Sequence, residues 1–251
     1  MLVLSKDWEF NILGIDNYKK PGKFKHYYDF IRKNHNRIDG DVCEVGVFRG
    51  FSLLATAMLL KELKSTKVVI GYDTFEGFPD YSEKDKLENF TKLYQSRNIS
   101  KEHYEDFKLN VKYKSYLNDI PIDVSNISSS GDFSNNSYDD LIKKIDFLKL
   151  DNIKLVKGEF KKTMIENPKN NPQRFCAALI DCDLYDGYKV SLPFIYNRLN
   201  RGGYIYLDEY YSLKFPGAKI ACDEFFKNKS EKPEMHTRYD GEFERWGVVK
   251  K

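Results

Sequence analysis

The stretch FCAALIDCDLYDGYK at residues 175–189 decides how this chain folds, together with GGYIYLDEYY at residues 202–211. Each contains a short apolar run, Cys176–Ile180 in the first and Tyr204–Leu207 in the second, that ends directly in acidic residues. A short apolar run bounded by polar residues or glycine is typical of a strand buried on both faces of a parallel sheet. We therefore predict two neighbouring parallel strands here.

A helix-length segment, Tyr188–Leu199, separates the two predicted strands, and the turn sequence Asn200–Gly203 follows it. A strand–helix–strand unit of this kind brings the carboxyl ends of both strands to the same edge of the sheet. Open α/β folds bind their ligands at that edge. The acidic residues that follow the two strands are therefore expected to meet at a ligand site.

Four carboxylates are placed at this edge, those of Asp181, Asp183, Asp208 and Glu209. Carboxylates at one edge repel each other unless a positive charge lies among them. Their hard oxygen atoms suit Mg²⁺, Mn²⁺ or Ca²⁺ better than zinc. The same acids could instead be solvated strand ends or caps of the following helices. Because Asp181, Asp208 and Glu209 each close a buried strand, we favour a divalent metal site.

Composition indicates an α/β protein whose charges are close to balanced. The chain of 251 residues is long enough for one domain with a full core, and length alone would also allow two small ones. With 41 Lys and Arg against 38 Asp and Glu, the formal net charge is +3, and no dense basic stripe indicates a nucleic-acid partner. No internal repeat or linker divides the chain, so we expect a single domain over residues 1–251.

The four cysteines show no CxxC spacing. Cys43 and Cys176 lie in apolar runs, where a free thiol packs as a small hydrophobic group, so a reducing compartment is expected. The N-terminal apolar run is too short for a signal peptide, and no segment approaches membrane-spanning length. We therefore expect a soluble, cytoplasmic protein without a membrane partner.

The N-terminal part of the chain contains no recognisable catalytic or binding motif. A turn signal stands at Pro21–Gly22, and the aromatic spacing of Phe24–Asn34 predicts an amphipathic helix. His26 and His35 lack the spacing of metal ligands and are interpreted as surface residues. We expect residues 1–40 to form a helical cover over the fold or a homodimer contact.

A glycine loop follows the first predicted strand, Asp41–Val47, and leads into a predicted helix at Phe51–Leu63. The loop has the pattern E-x-G-x-x-x-G, with Glu44, Gly46 and Gly50 at its fixed positions, and not the G-x-G-x-x-G of dinucleotide sites. A glycine loop before a helix N-terminus lets backbone approach a ligand closely. Glu44 at the strand end would suit a cationic amino-acid group, so the loop fits S-adenosylmethionine better than NAD.

The second and third predicted strands supply further candidate ligands of such a cofactor. Lys67–Asp73 ends in Asp73, placed where a carboxylate would hold a ribose diol, although a helix cap is an equal alternative. Lys154–Gly158 is followed by Glu159 and Phe160, which are placed where an adenine could be hydrogen-bonded and covered.

Residues 80–150 are the least regular part of the sequence. Ser82–Gln95 and Lys101–Leu109 are predicted to be charged helices, whereas Asn118–Tyr138 shows little periodicity. A long irregular loop inside a compact domain is usually a lid, a binding loop or a disordered segment, so we expect a mobile lid over the active edge. A further helix is predicted at Asp139–Leu148.

The C-terminal part predicts a helix at Ala218–Lys227 and then an antiparallel hairpin. The hairpin strands are Met235–Tyr239 and Glu242–Lys250, joined by an Asp-Gly turn at residues 240–241. Parallel strands followed by such a hairpin indicate one doubly wound α/β sheet, mostly parallel, with an antiparallel edge.

The chain resembles the macrocin O-methyltransferase family, class I methyltransferases that act on sugar hydroxyls of macrolides and aminocoumarins. The matching blocks occur in the family's order over most of residues 41–226. They are EVGVFRG at 44–50, DTFEGFP at 73–79, GDFS at 131–134, VKGEF at 156–160, DCDLY at 181–185 and GGYIYLDEY at 202–210. DTFEGFP, DCDLY and the GGY block are specific as a set, although no single block is.

The resemblance implies a Rossmann-like sheet and an O-methyltransferase whose acceptor is a sugar, a glycoside or a sugar nucleotide. The residues that it implies for S-adenosylmethionine are Glu44, Gly46 and Asp73, and those for Mg²⁺ or Mn²⁺ are Asp181, Asp208 and Glu209. Asp183 would be the general base. Two positions depart from the family, because Glu209 stands where Asp is more frequent and Cys182 where Gly is common.

Two other functions stay open on the sequence alone. Residues 181–183 also form a D-x-D motif, which in glycosyltransferases holds Mn²⁺ and a nucleotide-sugar diphosphate, but the loop at residues 44–50 would then have no role. Acids that bind structural Ca²⁺ in an interaction domain are a second alternative, and they leave the convergence at the sheet edge unexplained. A secondary-metabolite sugar, a surface polysaccharide unit and a small phenol all remain open as the acceptor.

Overall fold

A computed structural model describes residues 2–166, 174–236 and 244–251 of the chain. Within these ranges the strands are β1 Asp41–Val45, β2 Val69–Asp73, β3 Ile153–Lys157, β4 Phe175–Ile180, β5 Leu199–Leu207, β6 Glu234–His236 and β7 Arg245–Val249. The helices are α1 Asp7–Leu13, α2 Lys25–Asn34, α3 Phe51–Glu62, α4 Glu88–Gln95, α5 Lys101–Asn118, α6 Tyr138–Leu148, α7 Tyr185–Arg198 and α8 Pro216–Phe226, with a π-helical turn at Lys161–Glu166 and a 3₁₀ turn at Asp208–Tyr211.

The strands form a single sheet in the order β3-β2-β1-β4-β5-β7-β6. The first five are parallel, β7 is antiparallel to β5, and β6 is antiparallel to β7. The predicted doubly wound, mostly parallel α/β sheet with an antiparallel C-terminal edge is confirmed. The Asp-Gly turn predicted at residues 240–241 lies outside the described residues. Because the strand order reverses between β1 and β4, a crevice for a ligand is expected there.

Helices cover both faces of the sheet, which explains why its central strands are almost entirely apolar. One core contains side chains of α1, α2, α3 and α6 together with those of strand residues such as Val42 and Leu179. The opposite core contains side chains of α7 and α8 with strand residues such as Cys43 and Ala178. Successive residues of β1 therefore point into different cores, as the pleat of a strand requires.

Residues 80–150 have a smaller core of their own. It contains Phe90, Leu93, Ile99, Phe107 and Ile127 of this segment, with Leu184 and Phe215 from the rest of the chain. The sequence predictions for this part need correction, since α4 begins at Glu88 instead of Ser82 and α5 continues to Asn118. The Asp85 carboxylate accepts the Ser82 N–H at 2.9 Å, which forms a local turn where a helix was predicted. Residues 119–137 contain neither helix nor strand, as predicted.

Three other elements differ from their predictions. The helix α1 was not foreseen, because seven residues are too few for a clear periodicity. The crossover helix α7 begins at Tyr185 and not at Tyr188. The predicted turn Asn200–Gly203 is part of β5, since Gly202 N–H donates to the Lys250 carbonyl at 2.7 Å and extends the pairing. Among the described residues, no helix has both the length and the apolar character needed to cross a membrane.

Candidate active site

A cavity of about 450 Å³ lies at the carboxyl ends of the parallel strands. Residues at or just beyond the carboxyl ends of β1, β2, β3 and β4 line it, namely Gly46, Asp73, Glu159 and Asp181. The cavity therefore occupies the crevice that the strand order creates. Phe160 and Asp183, two further predicted site residues, also line it.

The glycine loop brings the end of β1 into contact with the end of β4. Gly46 has a φ of +87°, and a Cβ added to it would lie 1.7 Å from the Asp181 carbonyl oxygen. Asp181 N–H donates to the Val45 carbonyl at 2.9 Å, which ties the two strand ends together. Gly50 is the left-handed N-cap of α3 and does not line the cavity.

Asp73 holds the glycine loop in place. Its Oδ2 accepts hydrogen bonds from the main-chain N–H groups of Val47 at 2.7 Å and Phe48 at 2.8 Å, and its Oδ1 accepts one from Phe75 at 2.7 Å. A carboxylate has about four lone-pair sites, so roughly one is left for a ligand in the cavity. These three hydrogen bonds therefore fix the orientation of the Asp73 side chain in the cavity wall.

Glu44 does not line the cavity. Its side chain is fully buried, its Oε1 accepts a hydrogen bond from the Ser52 hydroxyl at 2.8 Å, and its Oε2 has no hydrogen-bond partner. Burial raises the pKa of Glu44 well above its usual value, which favours the neutral carboxyl. The predicted contact of Glu44 with a cationic cofactor group stays a prediction, and in the structure the Glu44 side chain lies behind the wall of the cavity. Ser52, which the sequence analysis missed, lines the cavity in its place.

The carboxylates of Asp181, Asp208 and Glu209 meet as the strand topology predicts. Each offers one oxygen, and these oxygens lie within 4.8 Å of one another. Burial, with the neighbouring acids, raises the pKa of Asp181 and of Glu209. The Asp208 Oδ1 atom is buried without a hydrogen-bond partner. One oxygen of the cluster is therefore left without a hydrogen-bond donor.

Lys23 lies at this cluster, and nothing in the sequence spacing pointed to it. Its Nζ is 2.6 Å from Asp208 Oδ2 and 3.7 Å from Asp181 Oδ2. Burial alone would raise the pKa of Asp208, but the Lys23 ammonium and a hydrogen bond from Glu209 hold it below its usual value. The lysine also lines the cavity.

Tyr188 supports the cluster from the opposite side. Its fully buried hydroxyl lies 2.8 Å from Glu209 Oε2 and 2.9 Å from the Ile180 carbonyl oxygen, and it accepts the Glu209 N–H at 3.3 Å. A side chain of α7 thus orients the last acid of the cluster. The sequence did not predict this contact, because Tyr188 appears there only as part of the predicted crossover helix.

Asp183 occupies a constrained position beside the cluster. Asp183 has a φ of +60°, a left-handed conformation that costs a residue with a Cβ about 1–2 kcal/mol. Asp183 is also buried, with 5% of its surface exposed. Burial, with the nearby charges of Asp181 and Asp208, raises the pKa of Asp183 to about 7, while Lys214 opposes the rise. The surrounding structure therefore holds a carboxyl group against the cavity in a strained backbone conformation.

Cys182 replaces a residue that is often glycine in the sequences that this chain resembles. A Cβ added to Gly187 on α7 would lie 3.0 Å from the Cys182 Sγ atom, so the helix leaves room for this thiol. The Cys182 residue is buried against α7 and forms part of the cavity lining.

Aromatic residues from the segment 80–150 and its flanks form another wall of the cavity. The ring centroids of Phe133 and Phe48 are 5.2 Å apart, and those of Phe133 and Phe78 are 4.9 Å apart. The Arg49 guanidinium donates to the Asn135 carbonyl at 2.6 and 2.9 Å. The segment is therefore attached directly to the glycine loop.

Solved O-methyltransferases share this fold. The O-methyltransferase NovP is 19% identical, with 90% of this chain and 80% of that chain covered and a TM-score of 0.61. The calicheamicin methyltransferase CalS11 is 18% identical, with coverages of 96% and 79% and a TM-score of 0.61. An O-methyltransferase from Bacillus cereus, in complex with SAH, is 13% identical, with coverages of 99% and 94% and a TM-score of 0.52. The fold is thus that of the Rossmann-like methyltransferases.

The sequence model of the macrocin-O-methyltransferase (TylF) family matches residues 23–120 and 132–242. The chain belongs to this family, and it is an O-methyltransferase. The family resemblance found in the sequence blocks is confirmed. No curated protein matches the chain in a sequence search.

Proposed function

We propose that this protein transfers a methyl group from S-adenosylmethionine to a hydroxyl of a sugar or glycoside, with a divalent cation held by Asp181, Asp208 and Glu209. The observation that carries the proposal is the meeting of these three carboxylates within 4.8 Å of one another, with Asp181 lining the same cavity as Gly46 of the glycine loop. A glycosyltransferase would leave that loop without a role.

The lining of the cavity supports the choice of cofactor. When bound, S-adenosylmethionine supplies a methyl group on a positively charged sulfur atom. Asp73 keeps a free lone pair for a ribose hydroxyl, and Glu159 and Phe160 are available to an adenine. Glu44 would act through Ser52, whose hydroxyl it orients. The Bacillus cereus neighbour, solved with SAH, supports the same choice.

The acid cluster fits a hard divalent cation such as Mg²⁺ or Mn²⁺. It offers three carboxylate donors, and the buried Asp208 Oδ1 atom has no partner, which costs free energy unless a cation or a donor satisfies it. When bound, the ion would supply positive charge that orients an acceptor hydroxyl and favours its ionisation. Tyr188 would keep Glu209 in a ligating orientation although the family more often has aspartate at this position.

Asp183 is proposed as the general base. Its carboxylate accepts the hydroxyl proton of the acceptor while the O–CH₃ bond forms and the S–CH₃ bond breaks, which leaves a methyl ether and S-adenosylhomocysteine. Its left-handed backbone holds the side chain at the cavity wall. A positioned base of this kind typically contributes about 10²–10⁴-fold to the rate.

The acceptor is proposed to be a sugar hydroxyl for two reasons. CalS11 is described as a TDP-rhamnose 3'-O-methyltransferase, and the wall of Phe78, Pro79 and Phe133 presents apolar surface to the cavity, as small-molecule sites usually do. We propose that residues 80–150 act as a lid that shapes this side of the pocket.

We also propose a cytoplasmic location. The cysteines Cys43, Cys176, Cys182 and Cys222 are free and buried, which supports a reducing compartment. A homodimer contact through residues 1–40 stays a prediction.

Thermal unfolding with candidate ligands tests the cofactor. S-adenosylhomocysteine at a hundred times its Kd should stabilise the protein by about 2.7 kcal/mol, and UDP or GDP should leave the Tm unchanged. Stabilisation by UDP or GDP alone would indicate the glycosyltransferase. Stabilisation by Ca²⁺ without any response to S-adenosylhomocysteine would indicate an interaction domain.

Methyl transfer from labelled cofactor to a panel of glycosides and sugar nucleotides tests the residue roles. Asp183→Asn should lower kcat by about 10²–10⁴-fold and retain the Tm shift with S-adenosylhomocysteine. Asp146→Asn, an exposed change on α6, is the matched control and should behave as wild type. Asp181→Ala and Asp208→Ala should abolish the metal dependence. Undiminished turnover of the wild type in EDTA would rule out the metal role, and near-normal turnover of Asp183→Asn would rule out the base.

A further inference from the structure

We infer that Lys23 is a tethered cation that occupies the ion position of the acid cluster in the metal-free protein, and that a divalent ion must displace it to bind. Lys23 is then a positioning residue that couples the ion to the N-terminal segment. The inference rests on the proposed function, because it takes Asp181, Asp208 and Glu209 as the ligands of the ion.

The geometry places the ammonium beside two of the three carboxylates that would hold the ion. Lys23 Nζ contacts Asp208 Oδ2 at 2.6 Å and lies 3.7 Å from Asp181 Oδ2, so it shares two of the three ligand residues. The side chain of Asp208 is 9% exposed, so this partly buried pair is screened less than a surface pair. A divalent ion among carboxylate oxygens within 4.8 Å of one another would lie close to the ammonium, and the two cations would repel each other and compete for the oxygens of Asp181 and Asp208.

The backbone of Lys23 is anchored, whereas its side chain has a way out. Its carbonyl oxygen accepts a hydrogen bond from the Tyr206 hydroxyl at 2.9 Å, and the adjacent Phe24 is buried against the Tyr206 ring. The Lys23 side chain is 37% exposed and lines the cavity. Rotation of that side chain alone would carry the ammonium from the cluster into the cavity, without any movement of α2.

Two consequences follow for the metal-free and metal-loaded protein. Without an ion, Lys23 neutralises part of the charge of Asp181 and Asp208 and stabilises the fold. With an ion, this ion pair is lost, so the measured affinity for the ion is weaker than the three carboxylates alone would give. The released ammonium then faces the cavity from the side of the acid cluster.

Calorimetric titration of Mg²⁺ into the cofactor-free protein tests the displacement, and its readout does not depend on turnover. Lys23→Met keeps the unbranched side chain beside Phe24 and removes the charge, so it should bind Mg²⁺ at least about tenfold more tightly than wild type. Lys25→Met is the matched control, since Lys25 pairs with Asp29 outside the cluster, and it should match wild type. Lys23→Arg keeps a positive charge and should not gain affinity.

Thermal unfolding gives a second measurement on the same variants. In EDTA, Lys23→Met should have a lower Tm than Lys25→Met, and saturating Mg²⁺ should remove that difference. Equal or weaker Mg²⁺ binding by Lys23→Met would overturn the displacement while leaving the metal site standing. Absence of Mg²⁺ binding in every variant, Lys23→Met included, would instead overturn the metal part of the proposed function, and the displacement with it.

Discussion

Replacing Gly46 with alanine tests whether the site depends on the contact between the ends of β1 and β4. The added Cβ would lie 1.7 Å from the Asp181 carbonyl oxygen and 2.6 Å from its carbonyl carbon. Both are main-chain atoms that cannot rotate away, so the two strand ends must separate. Because Asp181 belongs to the acid cluster, the separation would reach the proposed metal site.

Two costs add in this variant. A φ of +87° costs a residue with a Cβ about 1–2 kcal/mol, and overpacking of a tight contact typically costs about 1–3 kcal/mol. A distance of 1.7 Å is far below van der Waals contact, so the upper part of each range applies. We expect Gly46→Ala to lower the free energy of unfolding by about 3–5 kcal/mol. That is a large share of the about 5–15 kcal/mol typical of a folded protein.

Gly131→Ala separates the two costs. Gly131 has a φ of +59° and no atom within 4 Å of an added Cβ, so its substitution should cost only the backbone term of about 1–2 kcal/mol. Gly22 has open space as well and no positive φ, so Gly22→Ala should change stability by less than about 0.5 kcal/mol. Urea unfolding followed by circular dichroism measures all three variants.

The difference between Gly46→Ala and Gly131→Ala isolates the contact with Asp181. Losses that agree within about 0.5 kcal/mol would show that the strand ends do not touch as described. If Gly46→Ala folds, its affinity for Mg²⁺ should also fall, whereas that of Gly131→Ala should not change. An undisturbed affinity in Gly46→Ala would refute the coupling between the glycine loop and the acid cluster.

Two further predictions concern Tyr188 and His236. Tyr188→Phe removes the hydroxyl that lies 2.8 Å from Glu209. It should lower the free energy of unfolding in urea by about 1–3 kcal/mol and weaken Mg²⁺ binding. An unchanged free energy of unfolding and an unchanged Mg²⁺ affinity would show that the hydroxyl does not hold Glu209. Burial and the stacked ring of His26 lower the pKa of His236 from 6.5 to about 4, so the neutral form stabilises the fold. This contribution to the free energy of unfolding should be complete above pH 6.5 and lost as the pH falls towards 4. The full pKa shift sets an upper limit of about 3 kcal/mol for the loss, and solvent screening of the partly exposed ring reduces it to roughly half. His236→Phe should flatten the pH dependence and His35→Phe should not; the same slope in both variants would contradict the assignment.

The sheet could be predicted because its strands are buried on both faces. A strand without a solvent-facing side reads as a continuous apolar run, and β4 was predicted at Cys176–Ile180 against the observed Phe175–Ile180. The strand–helix–strand connection then determines at which edge the acids of β4 and β5 appear. The meeting of Asp181 with Asp208 follows from topology alone, whatever the acids bind.

The errors in the fold occur where distant contacts decide the local structure. The residues at 200–203 read as a turn, yet the chain end pairs with them through Lys250 and makes them a strand. The α5 helix continues nine residues past Leu109 to Asn118 without a periodicity that would have shown it. Local sequence carries no record of such partners, so propensity alone could not settle these elements.

The expected role of Glu44 shows a different limit. Its position before the glycine loop is what a cofactor ligand requires, but the pleat of β1 turns its side chain towards the core that contains α3. There burial raises the pKa of Glu44, and its carboxyl group accepts the hydrogen bond of the Ser52 hydroxyl. Because Ser52 lies on α3 and not in the loop, the group that reaches the cavity could be found only from the packing of helix on sheet.

The acid cluster explains why a lysine from a distant segment belongs to the site. Asp181, Asp208 and Glu209 are brought together by the strand order, and the chain must fold before it could bind the proposed ion at full affinity. In the folded chain before an ion binds, three carboxylates whose oxygens lie within 4.8 Å of one another need positive charge or bound protons. Lys23 supplies the charge, and the raised pKa values of Asp181 and Glu209 show that protons can supply the rest. The sequence predicted that the acids meet, and the structure adds Lys23 as a positive charge beside two of them, whereas the divalent ion stays a proposal.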